Sequence, residues 1–267
     1  MRRPHFAFLL PLTLCLSLAM SACSSTNRLL KARPVALTSF FEHPQLAQDA
    51  RKQLGFQKIW TTPDRAVLAA SLTKRKLYIA PVTLAYLRPV DKAFATREIE
   101  WGLQRQEREI AIRLHQEFTA AFQRSPTPLY QPVRQPGPDT VILQLALTEL
   151  NPTSPKGNAV MTMMKIAVSP VAALGRYFTT GNIAIEGKMM VAMPASQAGG
   201  KTNRPATYFQ FADNEADKLT LVSARDYQPY GHAVHTIREW AVHFEEMTRT
   251  PRGGKVRDSS AVTLRVY

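Results

Sequence analysis

The sequence predicts an α/β fold: a two-layer sandwich in which a mixed sheet of about four or five strands carries two main helices packed on one face. Three observations predict it. Residues 96–123 carry one apolar stripe at helical spacing, formed by Ile99, Leu103, Ile110, Leu114, Phe118 and Phe122. Residues 230–247 carry a second stripe, with Val234, Ile237, Trp240, Ala241 and Phe244 on one side. Residues 140–149 and 181–193 instead alternate, with Val141, Leu143, Leu145 and Leu147 on one face of the first segment and Ile183, Ile185, Met189, Val191 and Met193 on one face of the second. Each element has one face to bury, and two striped helices laid on one apolar sheet face bury all of them.

In chain order, the first segment has a different character. Arg2 and Arg3 precede an apolar run from Phe6 to Leu18, and the small residues Ser21 and Ala22 precede Cys23. This is the layout of a secretory signal peptide over residues 1–22, whose apolar core is too short to remain as a membrane span. The small-small-Cys ending is similar to the lipobox of bacterial lipoproteins, in which the cysteine is acylated (a palmitate-type modification) and becomes the mature N-terminus. Cys23 is therefore the expected lipidation site. The plainer alternative is an ordinary cleaved signal with a cysteine nearby. Ser24 after the cysteine, in place of aspartate, resembles the sorting pattern of outer-membrane lipoproteins, so the expected location is the outer membrane, facing the periplasm.

Residues 23–48 read as the lipidated N-terminus and a tether that mixes Ser, Thr, Asn and Pro34 with two apolar pairs, Leu29-Leu30 and Phe40-Phe41, and that docks some of its residues onto the domain. Residues 49–248 read as one globular domain and residues 249–267 as a basic tail, possessing a loosely paired strand from 261 to 267. Within the domain, residues 77–84 form the first expected strand, where Pro81 marks an edge, a strand end or a bulge. Glu109 and Arg113 are spaced to pair on the long helix. Pro136-Gly137-Pro138-Asp139 is a turn. Residues 159–178 are apolar and rich in methionine, and read either as core cover or as an adaptable membrane-dipping or partner-binding flap. Gly187 marks a bulge or a close backbone approach. Residues 207–211 form a short strand that pairs with 181–193 as a hairpin.

Of the 267 residues, 45% are hydrophobic and 20% charged, which permits a folded core and excludes a disordered chain. After residue 23 there is no cysteine, so a disulfide, a thiolate metal site and a cysteine nucleophile are all excluded from the mature domain. The formal net charge is +14, about +12 without Arg2 and Arg3. Such a balance favours polyanions, or reflects a generally basic proteome. For an exported chain the available polyanions are lipid headgroups, lipopolysaccharide phosphates and acidic wall polymers, and nucleic acid is not an expected partner.

His232, His235, Glu239 and His243 lie at about 0°, −60°, −20° and +20° around the last helix, opposite the stripe that includes Ile237 and Phe244. Imidazoles and a carboxylate so spaced can ligate zinc, although a solvated polar face is the plainer reading, and no cofactor is expected. Asp213, Glu215 and Asp217 alternate beside a strand but lack the loop of a calcium site, and read as a solvated turn. Glu149 and Glu186 fall at strand positions and are weighed as paired carboxylates for acid–base work against ordinary ion pairs with the abundant Arg and Lys. Trp101 and Trp240 are weighed as a ligand-stacking pair, with Trp240 reading as core. Phosphate-loop, dinucleotide-turn, zincin and nucleophile-elbow motifs are absent.

Several ordered segments together resemble the family of uncharacterised bacterial lipoproteins catalogued as domain of unknown function 3313. They are Phe56-Gln57-Lys58-Ile59-Trp60, Leu77-Tyr78-Ile79-Ala80-Pro81-Val82, Gly137-Pro138-Asp139-Thr140 running into Leu147 to Thr153, Gly181 to Gly187, Phe211 to Lys218, Tyr230-Gly231-His232-Ala233 and Glu239-Trp240-Ala241. The chain departs from that pattern over residues 189–204, where a more acidic turn is expected. The resemblance implies a lipid-anchored envelope protein and supplies no activity. The expected function is thus a lipid-anchored, periplasm-facing binding or assembly protein. The alternative is a metal-assisted hydrolase using the His232/His235/Glu239 face.

Overall fold

A computed structural model describes residues 34, 36–89, 97–151, 181–192, 205–216, 219–220, 230–251, 253–256, 258 and 262–263. Side chains of residues 97–103, 219–220 and 262–263 are outside that description. Cys23, the segment 159–178 and Asp217, all singled out above, lie outside the described residues.

In chain order the elements are β1 (Gln48–Asp49), α1 (Arg51–Leu54), β2 (Lys58–Thr61), α2 (Arg65–Leu72), β3 (Lys76–Ile79), α3 (Arg97–Arg124), β4 (Gln131–Val133), β5 (Thr140–Asn151), β6 (Asn182–Val191), β7 (Ala206–Ala216), β8 (Leu219–Thr220), α4 (Gly231–Arg249) and β9 (Val262–Thr263). A short 3₁₀ turn, Pro44–Leu46, precedes them. Seven strands form one sheet in the order β1-β2-β7-β6-β5-β3-β4, and β8 pairs with β9 separately. The sheet is mixed as expected, because β3 runs parallel to both β4 and β5 while the other pairs are antiparallel. It is wider than the four or five strands expected, and the described residues hold four helices where two main ones are expected. The additions β1, β2 and β4 have two to four residues each, too few to display a period.

The long strands β5, β6 and β7 form an antiparallel meander at the centre. Val141, Leu143, Leu145 and Leu147 are all fully buried on one face, as their alternation predicts. An irregularity after Leu147 inserts Thr148, so that Glu149 pairs with Ala184 and Leu150 with Ile183. The inserted residue resets the alternation and returns Leu150 to the apolar face. Gly187 is a close approach rather than a bulge: it lies opposite Phe211, and a Cβ there would sit 2.2 Å from the ring. Strand β3 stops at Ile79, before Pro81, yet the chain keeps company with β5 through Thr83 N–H on Leu145 O and Leu147 N–H on Thr83 O.

Both long helices cover the same sheet face. Ile110, Leu114, Phe118 and Phe122 of α3 share one core with Ile237, Trp240 and Phe244 of α4 and with the apolar face of the meander. Phe244 is the hub, with ring centroids 5.6 Å from Phe118 and 4.8 Å from Phe211. Helix α2 starts on Asp64, whose carboxylate accepts the Ala66 and Val67 N–H groups, and it sends Val67 into the same core. On the surface of α3, Glu109 pairs with Arg105 at 3.0 Å, one turn back, and Arg113 reaches forward to Glu117 at 3.6 Å, correcting the expected Glu109–Arg113 pair. Spacing alone allows both partners, and the second carboxylate, Glu117, draws Arg113 away.

The second sheet face is covered by the segment expected to be a tether. Residues 36–47 lie across β2, β7 and β6 as a strap. Phe41 is buried with Trp60 and Ala212, and Leu37 and Ala47 pack against them. Phe40 meets Tyr86 edge-on at 5.3 Å, and the Lys188 ammonium sits over the Phe40 ring. Of the two apolar pairs of the expected tether, Phe40-Phe41 docks on the domain, and Leu29-Leu30 lies outside the described residues. At the other end of the chain Val256 is buried and donates its N–H to Gln53 O, and Val262–Thr263 pairs with β8.

Candidate functional site

Charge enters this fold at three places. The first is beneath α4. Strand β7 runs to Ala216 instead of stopping near Phe211, so Asp213 and Glu215 are strand residues, 3% and 2% exposed, rather than members of a solvated turn. Burial of Asp213 is compensated locally. The Trp240 indole N–H donates to it at 2.7 Å, and the Arg51 guanidinium lies 3.3 Å away while also donating to Asn214 O. Trp240 is core, 1% exposed, with its N–H spent on Asp213, and therefore cannot stack on a ligand. The Trp101 side chain lies outside the described residues.

The second place is under the strap. Glu186 is buried mid-strand on the second face, and its carboxylate accepts the Thr38 N–H at 2.7 Å and the Thr38 hydroxyl at 2.8 Å. Burial pushes the Glu186 carboxyl above the ordinary glutamate range, against the pull of Thr38, the Arg88 guanidinium and the Phe41 N–H. Arg88 also lies 3.6 Å from Glu149 and donates to Ala36 O. The sheet therefore brings Glu149 and Glu186 to one face of neighbouring strands, and a guanidinium serves both. Asn151 holds the other Glu149 oxygen at 2.8 Å. This is the ion-pair reading of the two glutamates, closed over by the strap.

The third place is open. Between α3 and α4 runs a groove of about 220 Å³, floored by Ala121 and Ala241 and walled by Glu117, Arg124, Ser125, Arg238, Glu245 and Arg249. Glu117 is 8% exposed and gathers three guanidiniums, Arg113 at 3.6 Å, Arg238 at 3.7 Å and Arg124 at 3.8 Å. All three lengths exceed those of good N–H···O bonds, so the guanidiniums attract Glu117 without spending their donors on it. Glu245 is 4% exposed and receives the Arg249 Nε–H at 3.1 Å on one oxygen. The other Glu245 oxygen and the Ser125 hydroxyl are buried without a hydrogen-bond partner. Three guanidiniums of the lining thus face two carboxylates, with Arg113 a fourth beside Glu117, and two polar atoms are unsatisfied. Such a groove can bind an anion that also offers hydrogen-bond donors.

The histidine face does not assemble as a ligand set. His232 turns inward against β6, hydrogen-bonds with the Asn182 backbone, and burial lowers its pKa to about 4. His235 pairs instead with Glu239 at 3.2 Å on the half-exposed side. Their angular spread is wide enough to put the first histidine at the sheet and the second on the half-exposed side. Among the described residues no three His, Cys, Asp or Glu side chains are placed to hold a metal ion. Sequence reasoning missed the groove residues. The available signal was the pair of i, i+4 partnerships Arg113–Glu117 and Glu245–Arg249, one on each striped helix.

The architecture defines a seven-stranded mixed sheet with the long helices on one face and a strap on the other. A family model described as "Protein of unknown function (DUF3313)" matches residues 39–206, from the strap into β7, and the chain belongs to that family. No curated protein matches the chain.

Proposed function

We propose that this protein is a lipid-anchored envelope module, attached through Cys23 to the outer membrane and facing the periplasm, whose work is binding or assembly. The observation that carries this reading is the strap. The chain that follows the proposed anchor is built into the fold within about fifteen residues, by Thr38 on Glu186 and Phe41 against Trp60. An anchor placed there keeps a folded domain within a short reach of the bilayer, which suits a module that must meet partners. The helix layer lies on the sheet face opposite the strap, which leaves the groove between α3 and α4 available to such a partner. Among the described residues no helix is long and apolar enough to cross a membrane. Acylation would supply attachment, since each buried methylene contributes about 0.8 kcal/mol and two or more chains hold stably.

The test is partitioning. Wild-type protein expressed in its native envelope is expected to enter the detergent phase and to incorporate labelled fatty acid. Cys23→Ala is expected to lose both. Retention of the variant in the detergent phase would overturn the anchor.

A further inference from the structure

We propose that the groove between α3 and α4 is the docking site for an acidic peptide segment of a partner protein. The inference rests on the binding-module reading above and names the chemistry of its partner. Charge gives the sign: Arg124, Arg238 and Arg249 line the groove with Glu117 and Glu245, and Arg113, outside the lining, adds a further guanidinium beside Glu117. Arg124 and Arg238 keep about two thirds of their side-chain surface in solvent, at 66% and 64%, so their forked donors remain available to an arriving carboxylate.

The unsatisfied atoms give the class. Glu245 Oε1 is a buried acceptor in want of a donor, and the Ser125 hydroxyl is in want of any partner. A phosphate or sulfate head offers acceptors, which would satisfy the arginines and the Ser125 hydroxyl but leave Glu245 without a donor. A peptide offers both kinds of group in one chain: side-chain carboxylates for the guanidiniums and backbone N–H groups for Glu245 and Ser125. The floor suits a peptide as well. Ala121 and Ala241 are small enough to admit a backbone, and Val242, 51% exposed at the groove wall, presents apolar surface for a side chain beside the acids.

The experiment places a photo-crosslinking amino acid at position 242 of the full chain in its native cells, with position 72 as the control. Leu72 is also exposed, at 61%, but sits on α2 away from the groove. After irradiation the adduct is digested and sequenced by mass spectrometry. The expected result is a peptide adduct rich in Asp and Glu at position 242 and absent at 72. Its yield should fall about tenfold in the R124E/R238E variant, because charge reversal repels the acidic segment. Both arginines are solvent-exposed, and a circular-dichroism melt checks that the fold persists; R238Q serves should the double variant fail to fold. No adduct above the control, a neutral or basic peptide, a lipid or glycan adduct, or a yield indifferent to the substitutions would each overturn the proposal. Partitioning of Cys23→Ala reports on the anchor whether or not an adduct forms, so the two failures are distinguishable.

Discussion

At the scale of single residues, this fold depends on places where one atom decides. Gly187 is the sharpest. Its missing Cβ is the space that the Phe211 ring occupies, and Phe211 in turn stacks into the Phe244 hub. Gly187→Ala is expected to cost about 1–3 kcal/mol, as overpacking of a filled core does. Shortening the ring should recover part of that, so Gly187→Ala with Phe211→Leu should be less destabilised than the sum of the single variants. Chemical denaturation of the four chains measures it, and strict additivity would show that the ring is not the obstacle. The glycine itself was legible in the sequence as a feature of the strand. Which of its two readings applied was not, because the answer lies on β7, outside any window around residue 187.

At the scale of elements, legibility followed length. Strand β5 and helices α3 and α4 declare themselves because each spans enough residues to repeat its own period. Strand β7 was read short because Asp213 and Glu215 break the apolar alternation. Trp240 and Arg51, distant in sequence, help make Asp213 tolerable there. The groove was hidden for the same reason, since neither helix carries it alone. The strap sustains no period: the apolar residues it packs down, Leu37, Phe40, Phe41 and Ala47, continue neither a helical nor a strand repeat. Its weight can still be tested. Phe41→Ala removes the strap's own buried ring from the small second-face cluster, a loss of about 3 kcal/mol for a buried phenylalanine. Because that cluster is separate from the main core, the expected outcome is local release: residues 36–47 become open to protease while the denaturation midpoint of the helix layer barely moves. Unchanged protection of the strap would mean that Glu186 and Lys188, rather than Phe41, hold it.

At the scale of the whole molecule, two buried groups make stability depend on acidity in opposite senses. His232 titrates near 6.5 in the unfolded chain and at about 4 in the fold, because burial disfavours the imidazolium. Between those values the unfolded chain binds a proton that the native chain does not. Stability is therefore intact above pH 6.5 and declines as the pH falls toward 4, by about 1–3 kcal/mol. Glu186 acts the other way: its raised carboxyl favours the fold at low pH and loses that contribution as the pH climbs through its folded value. Denaturant midpoints measured at pH 7 and pH 4.5 for wild type and His232→Gln separate the two. The variant should lose less stability on acidification, and equal losses would remove His232 as the cause.

The strap also orders events in time. Thr38 leaves the ribosome long before its acceptor, for Glu186 follows it by 148 residues, and Gln210, which receives the Glu42 N–H, follows Glu42 by 168. Whatever closes the second face of the sheet must therefore wait, ready-made, while the rest of the domain is synthesised. The first part of the described fold to be translated is among the last that can be fastened.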